Sequence, residues 1–287
     1  MKHRWLAVAA LIFVAGSWGA TFPLIKSILQ QIDPEAFIAL RFAIAGLALV
    51  AFAAARRTLR YELLVPGLVL GLLVFIGYWM QTRALVTISP SRSAFLTGLY
   101  VVMVPFADRA AYRSRVSGLD WIASVMAAVG TAALIGGFDA RPTLGDVLTL
   151  ACAVCFAFHV VFSARWSTRM PASGLAAVQV MFVGIAAALP AALGARPVIS
   201  MRLGVIILFT ALVTTALAFI ALMWGQARVT ATEAAVILAF EPVAAAITSI
   251  AFYGERVTLG FVVGGILIVV AMVVSQWPEA GTENSAP

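Results

Sequence analysis

The chain has 287 residues, of which 63% are hydrophobic and only 11% charged, against about 25% charge in soluble domains, so a soluble globular protein is excluded. The formal net charge of +7 comes from scarce acids, 12 Asp and Glu beside 19 Lys and Arg. No basic run is interleaved with aromatics, which excludes a nucleic-acid surface.

Ten apolar segments follow one another, at roughly 5–25, 36–55, 63–85, 91–111, 118–138, 144–164, 174–194, 202–224, 229–253 and 257–277. The first begins after Met1-Lys2-His3-Arg4, as a signal peptide does. It runs on to Ile25 without a small-residue cleavage site, so a retained span is expected. Trp18 and Phe22 lie one turn apart on it and share a face. Trp supplies a flat wall and one N–H donor to a ligand, with ordinary packing or lipid contact as the alternative. Lys26 is read either as a gate charge or as a lysine reaching back to the interface. Arg41 lies about 10 Å into the second span. A cation there has to pair or snorkel, and a structural ion pair is expected rather than substrate contact.

In the third span Tyr78 and Gln81 share a face. They are either neutral donors and acceptors for a small zwitterion in an apolar pocket, or helix-to-helix hydrogen bonds. Tyr100 is a further candidate for the same wall. Cys152 and Cys155 spell Cys-x-x-Cys, but inside an apolar helix with no second ligand pair they read as small packing residues. His159 suits a proton relay or a satisfied interhelical bond; Phe156 and Phe158 beside it suit a pocket lining or plain packing. Trp224 fits an interfacial anchor. In the ninth span Glu233 reads as a solvated charge at a helix start. Glu241 falls near the bilayer midplane, where an ionised carboxylate costs at least about 2.5–3.5 kcal/mol unless it faces protein or water. Pro242 beside it removes a backbone donor and opens a local break. That pairing reads as a substrate or ion site, or as a buried acid paired to a neighbouring helix. Pro278 to Pro287 reads as a disordered tail.

The halves repeat each other. Ala84-Leu85-Val86-Thr87 matches Ala227-Arg228-Val229-Thr230 at an offset of 143, which sets Leu99 opposite Pro242. Val116-Ser117 matches Val257-Thr258 slightly out of register, and Arg41 falls opposite Gln179. Five spans per half is an odd number, so the second copy is upside down, the arrangement of secondary transporters with a midplane site. Lys2, Arg4, Arg56, Arg57, Arg60, Arg109, Arg113 and Arg115 fall on one side of the first half, and Lys26, Arg83 and Arg92 near the other. Both termini are therefore expected in the cytoplasm. The second half carries no such bias: Arg165, Arg169 and Arg228 stand against Arg141, Arg196, Arg202 and Arg256.

Trp18-Gly19-Ala20-Thr21-Phe22, Asp33-Pro34 ahead of Arg41-Phe42, Glu241-Pro242-Val243, Gly254-Glu255-Arg256 and Gly264-Gly265 together resemble the drug/metabolite transporter superfamily, EamA type, over nearly the whole chain. The resemblance implies a five-plus-five inverted fold that moves small metabolites, often amino acids outward, through a central cavity. It also favours Trp18 as a cavity residue. Leu99 departs from Pro242 and puts an equal helix break in both halves in doubt.

The expectation is an all-α integral membrane protein of ten transmembrane helices as two inverted five-helix repeats, 1–138 and 142–277, with a cytoplasmic tail at 278–287. Trp18, Phe22, Tyr78, Gln81, Tyr100, Phe158, His159, Gln179 and Glu241 are the expected substrate contacts. Amino-acid or metabolite export across a bacterial-type inner membrane is the leading reading, by a monomer, with protons as candidate coupling ions and no cofactor or metal. Export of lipophilic drugs or cations is the alternative, ahead of a channel. A Gly-rich phosphate loop ending in Lys-Ser or Lys-Thr is absent, as are His-Glu-x-x-His and Gly-x-Ser-x-Gly, which argues against direct ATP use and an embedded enzyme.

Overall fold

The computed structural model describes residues 2–114, 117–134, 143–194, 200–253 and 259–275. Arg115, Val116, Arg141, Arg196, the Gly254-Glu255-Arg256 motif, Val257-Thr258 and the tail at 278–287 lie outside the described residues.

Among the described residues the chain forms ten helical segments and no strand. In the first half they are α1 (Lys2–Lys26), α2 (Pro34–Ala55), α3 (Leu64–Thr87), the pair α4 (Pro90–Gly98) and α5 (Tyr100–Tyr112), and α6 (Gly118–Leu134). The second half holds α7 (Leu144–Ser167), α8 (Ala172–Ala192), the pair α9 (Met201–Ala211) and α10 (Ala218–Gln226), the pair α11 (Ala231–Leu238) and α12 (Glu241–Tyr253), and α13 (Leu259–Ser275). Eight segments are long and apolar enough to cross a bilayer; α6 and α13 are shorter where described. Helix starts follow local chemistry. Pro34 and Pro90 occupy first turns, where a missing N–H costs nothing. Thr143 with Asp146, and Thr230 with Glu233, form capping boxes.

The helices pack reciprocally. The second segments of the two halves, α2 and α8, lie against each other, and so do the fifth, α6 and α13. The third segment of each half packs on the first of the other: α3 on α7, and α10 on α1. The fourth likewise packs on the first of the other half: α4 and α5 on α7, α11 and α12 on α1. Such an isologous pattern is what a pseudo-two-fold relation between halves produces.

Small residues permit the close crossings, because lipid tails offer no hydrophobic drive between helices. Gly264 meets Gly130 inside one chain, its carbonyl oxygen 2.8 Å from where a Cβ on Gly130 would stand. Gly19 on α1 lies directly against the start of α12. A Cβ there would overlap the Glu241 carbonyl oxygen and stand 2.8 Å from Ala244 Cβ and Ala245 N. Those are largely backbone atoms and cannot yield. Gly19→Val is therefore expected to lower the thermal midpoint in detergent, at a cost on the order of 1–3 kcal/mol. Gly16→Val, one turn away with nothing within 4 Å, serves as the control. Equal midpoints for the two variants would refute the contact.

Two helix interruptions meet at the centre. α11 gives way to α12 at Ala239, ψ −4°, and α4 to α5 at Leu99, ψ −13°. The break in the first half, doubted because Leu99 replaces proline, is therefore present. Pro242 stands in the first turn of α12, so it marks the restart of a helix rather than being a requirement for stopping one. A Cβ on Gly98 would come 3.4 Å from the Pro242 ring, so the two breaks face each other. A third irregularity, a π turn at Leu212–Leu217, joins α9 to α10 and was not expected from the sequence.

Candidate functional site

The two breaks enclose a small central space. Trp18 from α1, Tyr78 and Gln81 from α3, Tyr100 from α5, His159 from α7 and Glu241 from α12 all line it. Its free volume, about 30 Å³, holds only about two waters. Apolar walls come from Val74, Phe156, Phe219 and Leu238, among others. Six of the nine expected contact residues thus converge. Phe22 is buried away from the wall, and Phe158 packs on Phe162 at 5.9 Å between centroids while Phe156 takes the lining position. Gln179 lies behind the wall, fully buried.

Hydrogen bonds decide what these groups have left to offer. Gln179 donates its amide to the Leu175 carbonyl at 3.3 Å, so its oxygen is turned to His159 Nε2, 2.8 Å away. His159 must then donate from Nε2, and its Nδ1 carries the remaining lone pair. This is the interhelical bond that was the alternative to a relay. Gln81 donates to Thr97 Oγ1 at 3.0 Å, from α3 to α4. The Trp18 N–H, expected to be available to a ligand, is given to the Thr214 carbonyl at 2.8 Å in the π turn. Trp18 therefore presents its ring face, tilted against Phe219 at 5.7 Å. The Tyr100 hydroxyl is buried and has no hydrogen-bond partner among the described residues. Glu241 is buried, and no side chain among the described residues bonds or ion-pairs with its carboxylate.

Arg41 departs from expectation. It is 1% exposed, yet no carboxylate lies within ion-pair distance among the described residues. Nε donates to Thr215 Oγ1 at 2.7 Å and Nη2 to Thr214 Oγ1 at 3.1 Å. The guanidinium carbon lies 5.1 Å from the Tyr78 ring centre and 5.4 Å from that of Phe42. Aromatic faces and hydroxyls replace the anion that a buried cation ordinarily takes. A desolvated charge without a counter-charge still costs several kcal/mol. Neither the π turn nor its two threonines stood out in the sequence; the Thr214-Thr215 pair inside an apolar span was the available signal.

The remaining buried acids are paired. Glu35 accepts from Arg83 at 2.6 Å and from the Trp79 N–H at 2.8 Å, on the rim of an open hollow of about 740 Å³ between α2, α3, α7 and α8. Asp146 at the start of α7 takes Arg92 in a bidentate pair at 2.5 and 3.0 Å. Glu233 at the start of α11 pairs with Arg4, so it is more than a solvated charge. Lys26 binds the carbonyls of Leu85, Val86 and Ile88 and caps the end of α3. Arg228 lies over the Trp224 ring at 3.9 Å.

Comparison with known proteins agrees with this architecture. The model of the EamA-like transporter family matches twice, over residues 5–136 and 143–276. An "Uncharacterized transporter" of Archaeoglobus fulgidus is 31% identical over 275 residues, covering 94% of this chain and 86% of the relative. A solved crystal structure superposes with a TM-score of 0.77 at 21% identity, covering 94% of this chain and 96% of the other, and shares the fold. The chain belongs to the EamA-like transporter family, of the drug/metabolite transporter superfamily, and is a multi-span membrane transporter of small solutes.

Proposed function

We propose that this transporter exports amino acids or related small metabolites by alternating access around the cavity at the two helix breaks. The observation that carries the reading is Glu241: among the described residues a buried carboxylate without a cation, facing a small space whose other polar groups, Gln81, His159, Tyr78 and Tyr100, are neutral donors and acceptors among apolar walls. It is placed to hold the amine of a substrate or to take up a proton. The free space is too small for an amino acid, so the described state is closed around its centre and must widen to admit solute.

Two ion pairs fit the alternation. Arg4–Glu233 ties the start of α1 to the start of α11, and Arg92–Asp146 ties the start of α7 to the start of α4. The first segment of each half is thus clamped to the fourth of the other. The acid sits on the fourth segment in one pair and on the first in the other. With the N-terminus in the cytoplasm, Arg4–Glu233 closes the cytoplasmic side and Arg92–Asp146 the outer side.

Counterflow in proteoliposomes tests the function. Vesicles are loaded with mixed unlabelled amino acids and given one labelled amino acid outside, with and without a pH gradient. Accumulation without a gradient is the expected result, and stimulation by the gradient identifies proton coupling. An acid among aromatic rings also suits a lipophilic amine. Exchange of such amines with none of any amino acid would overturn the amino-acid reading in favour of drug or cation export.

A further inference from the structure

Among the described residues, Arg41 is the buried cation without a carboxylate, and Glu241 the buried carboxylate without a cation. Every other buried acid, Glu35, Asp146 and Glu233, has its arginine. We infer that Arg41, held by Thr214 and Thr215, forms the subsite for a carboxylate of the transported solute. The inference rests on the carrier reading and names the chemistry of one end of its substrate.

Three observations support it. First, the guanidinium is fixed but not satisfied. Thr215 and Thr214 hold Nε and Nη2, whereas Nη1 is buried with no hydrogen-bond partner among the described residues. With Nε and both Nη2 hydrogens engaged, the buried Nη1 is the part of the guanidinium left to donate to a carboxylate oxygen, a charge-assisted hydrogen bond. Second, the local backbone departs from a regular helix at this point. The π turn at Leu212–Leu217 sets the Thr214 carbonyl to accept both the Trp18 N–H at 2.8 Å and Arg41 Nη2 at 3.4 Å. The corresponding segment of the first half, α3, is an uninterrupted α-helix. Single π turns inside α-helices concentrate at functional sites. Third, the cation lies one side-chain layer behind the cavity. Trp18, which shares its acceptor, and Tyr78, whose ring it faces at 5.1 Å, are both wall residues. Arg41 is not itself in the lining, and a space of about 30 Å³ has to widen before a solute enters, so the subsite requires the Tyr78 or Trp18 ring to move aside. A solute carrying both charges offers a carboxylate to Arg41 and an amine to Glu241, whereas a simple amine leaves the arginine uncompensated.

The test is counterflow by the full chain in proteoliposomes, run with each common amino acid, its C-terminal amide and its decarboxylated amine. Wild type is expected to prefer at least one acid over its amide by about 100-fold. Arg41→Lys, which keeps the charge but loses the fork, and Thr215→Val, which releases Nε, are each expected to remove at least tenfold of that preference. A purely structural arginine would lower thermal stability and total flux while leaving the acid-to-amide ratio unchanged, which would overturn the inference. Wild-type exchange of amines and amides as readily as acids would overturn the subsite and leave the carrier reading standing. Absence of exchange for every compound would overturn both. Loss of the acid preference when chloride replaces gluconate as the bulk anion would assign Arg41 to an inorganic anion and overturn the inference as well.

Discussion

Glu241→Gln is expected to abolish either substrate binding or gradient-coupled flux while leaving the protein folded. The replacement is nearly isosteric, so the packing of Gly19 against the start of α12 is untouched. What it removes is a buried ionisable carboxyl group that no cation in the described structure pairs with. Burying a neutral amide costs less than burying an unpaired carboxylate, so the thermal midpoint should hold or rise. Losing one partner of a desolvated charge pair with a substrate amine costs about 2–5 kcal/mol, a fall in affinity of roughly 30- to several-thousand-fold. The two roles open to Glu241 separate in the same assay. As amine ligand, the Gln variant loses exchange with or without a pH gradient. As proton carrier, it keeps gradient-independent exchange and loses only the stimulation. Flux and gradient response equal to wild type would remove Glu241 from the mechanism. A large fall in the midpoint would make it a structural acid instead.

The architecture was legible in the sequence to the extent that it follows from run lengths and from repetition. Ten apolar segments and short connectors leave little choice in a bilayer, and the match between 84–87 and 227–230 aligns the helices that pack reciprocally. The cavity was legible where a polar residue had no other reason to lie mid-span: Tyr78 and Gln81 three residues apart on one helix, and Glu241 alone in an apolar run. The failures share one cause. Phe156 and Phe158 sit on one apolar helix, and which of them lines the cavity depends on how α7 is rotated against α3. Gly77 sets that rotation by admitting the Phe156 ring where a Cβ would stand 2.5 Å from it. The same holds for Arg41. The rule that a buried cation must pair was sound, but its partners are two hydroxyls more than 170 residues away, 174 from Arg41 in the case of Thr215. Only the folded chain brings them together. Leu99 shows the converse, where local propensity favoured a continuous helix and the neighbouring break at Pro242 accompanies an interruption.

Asp146→Asn should open the cavity toward the outer side, and Glu233→Gln toward the cytoplasm. Each removes an ion pair at the start of a helix, and each acid also closes a capping box, with Thr143 and Thr230 respectively. Asn and Gln keep an oxygen for the capping bond and lose the charge, so the first turn is largely retained. The pairs are partly buried: side-chain exposures are 20% and 7% for Arg92 and Asp146, and 46% and 12% for Arg4 and Glu233. Removing one partner costs about 0–1 kcal/mol in an exposed pair and about 3–5 kcal/mol in a buried one, where the other charge is left uncompensated, so breaking the outer clamp should cost more. A loss of about 1.4 kcal/mol changes the open population tenfold. Cys152 is a native reporter. It is fully buried on α7, between Asp146 and His159 of the central space. In a Cys155→Ser background, a membrane-impermeant maleimide added outside should label Cys152 about tenfold faster in Asp146→Asn. It should label more slowly than the parent in Glu233→Gln, because mass action draws the population to the opposite side. Opposite shifts in one thiol, from two substitutions at opposite ends of the molecule, follow from alternation between two gates. A channel whose gates open independently would give faster labelling with the first substitution and no slowing with the second.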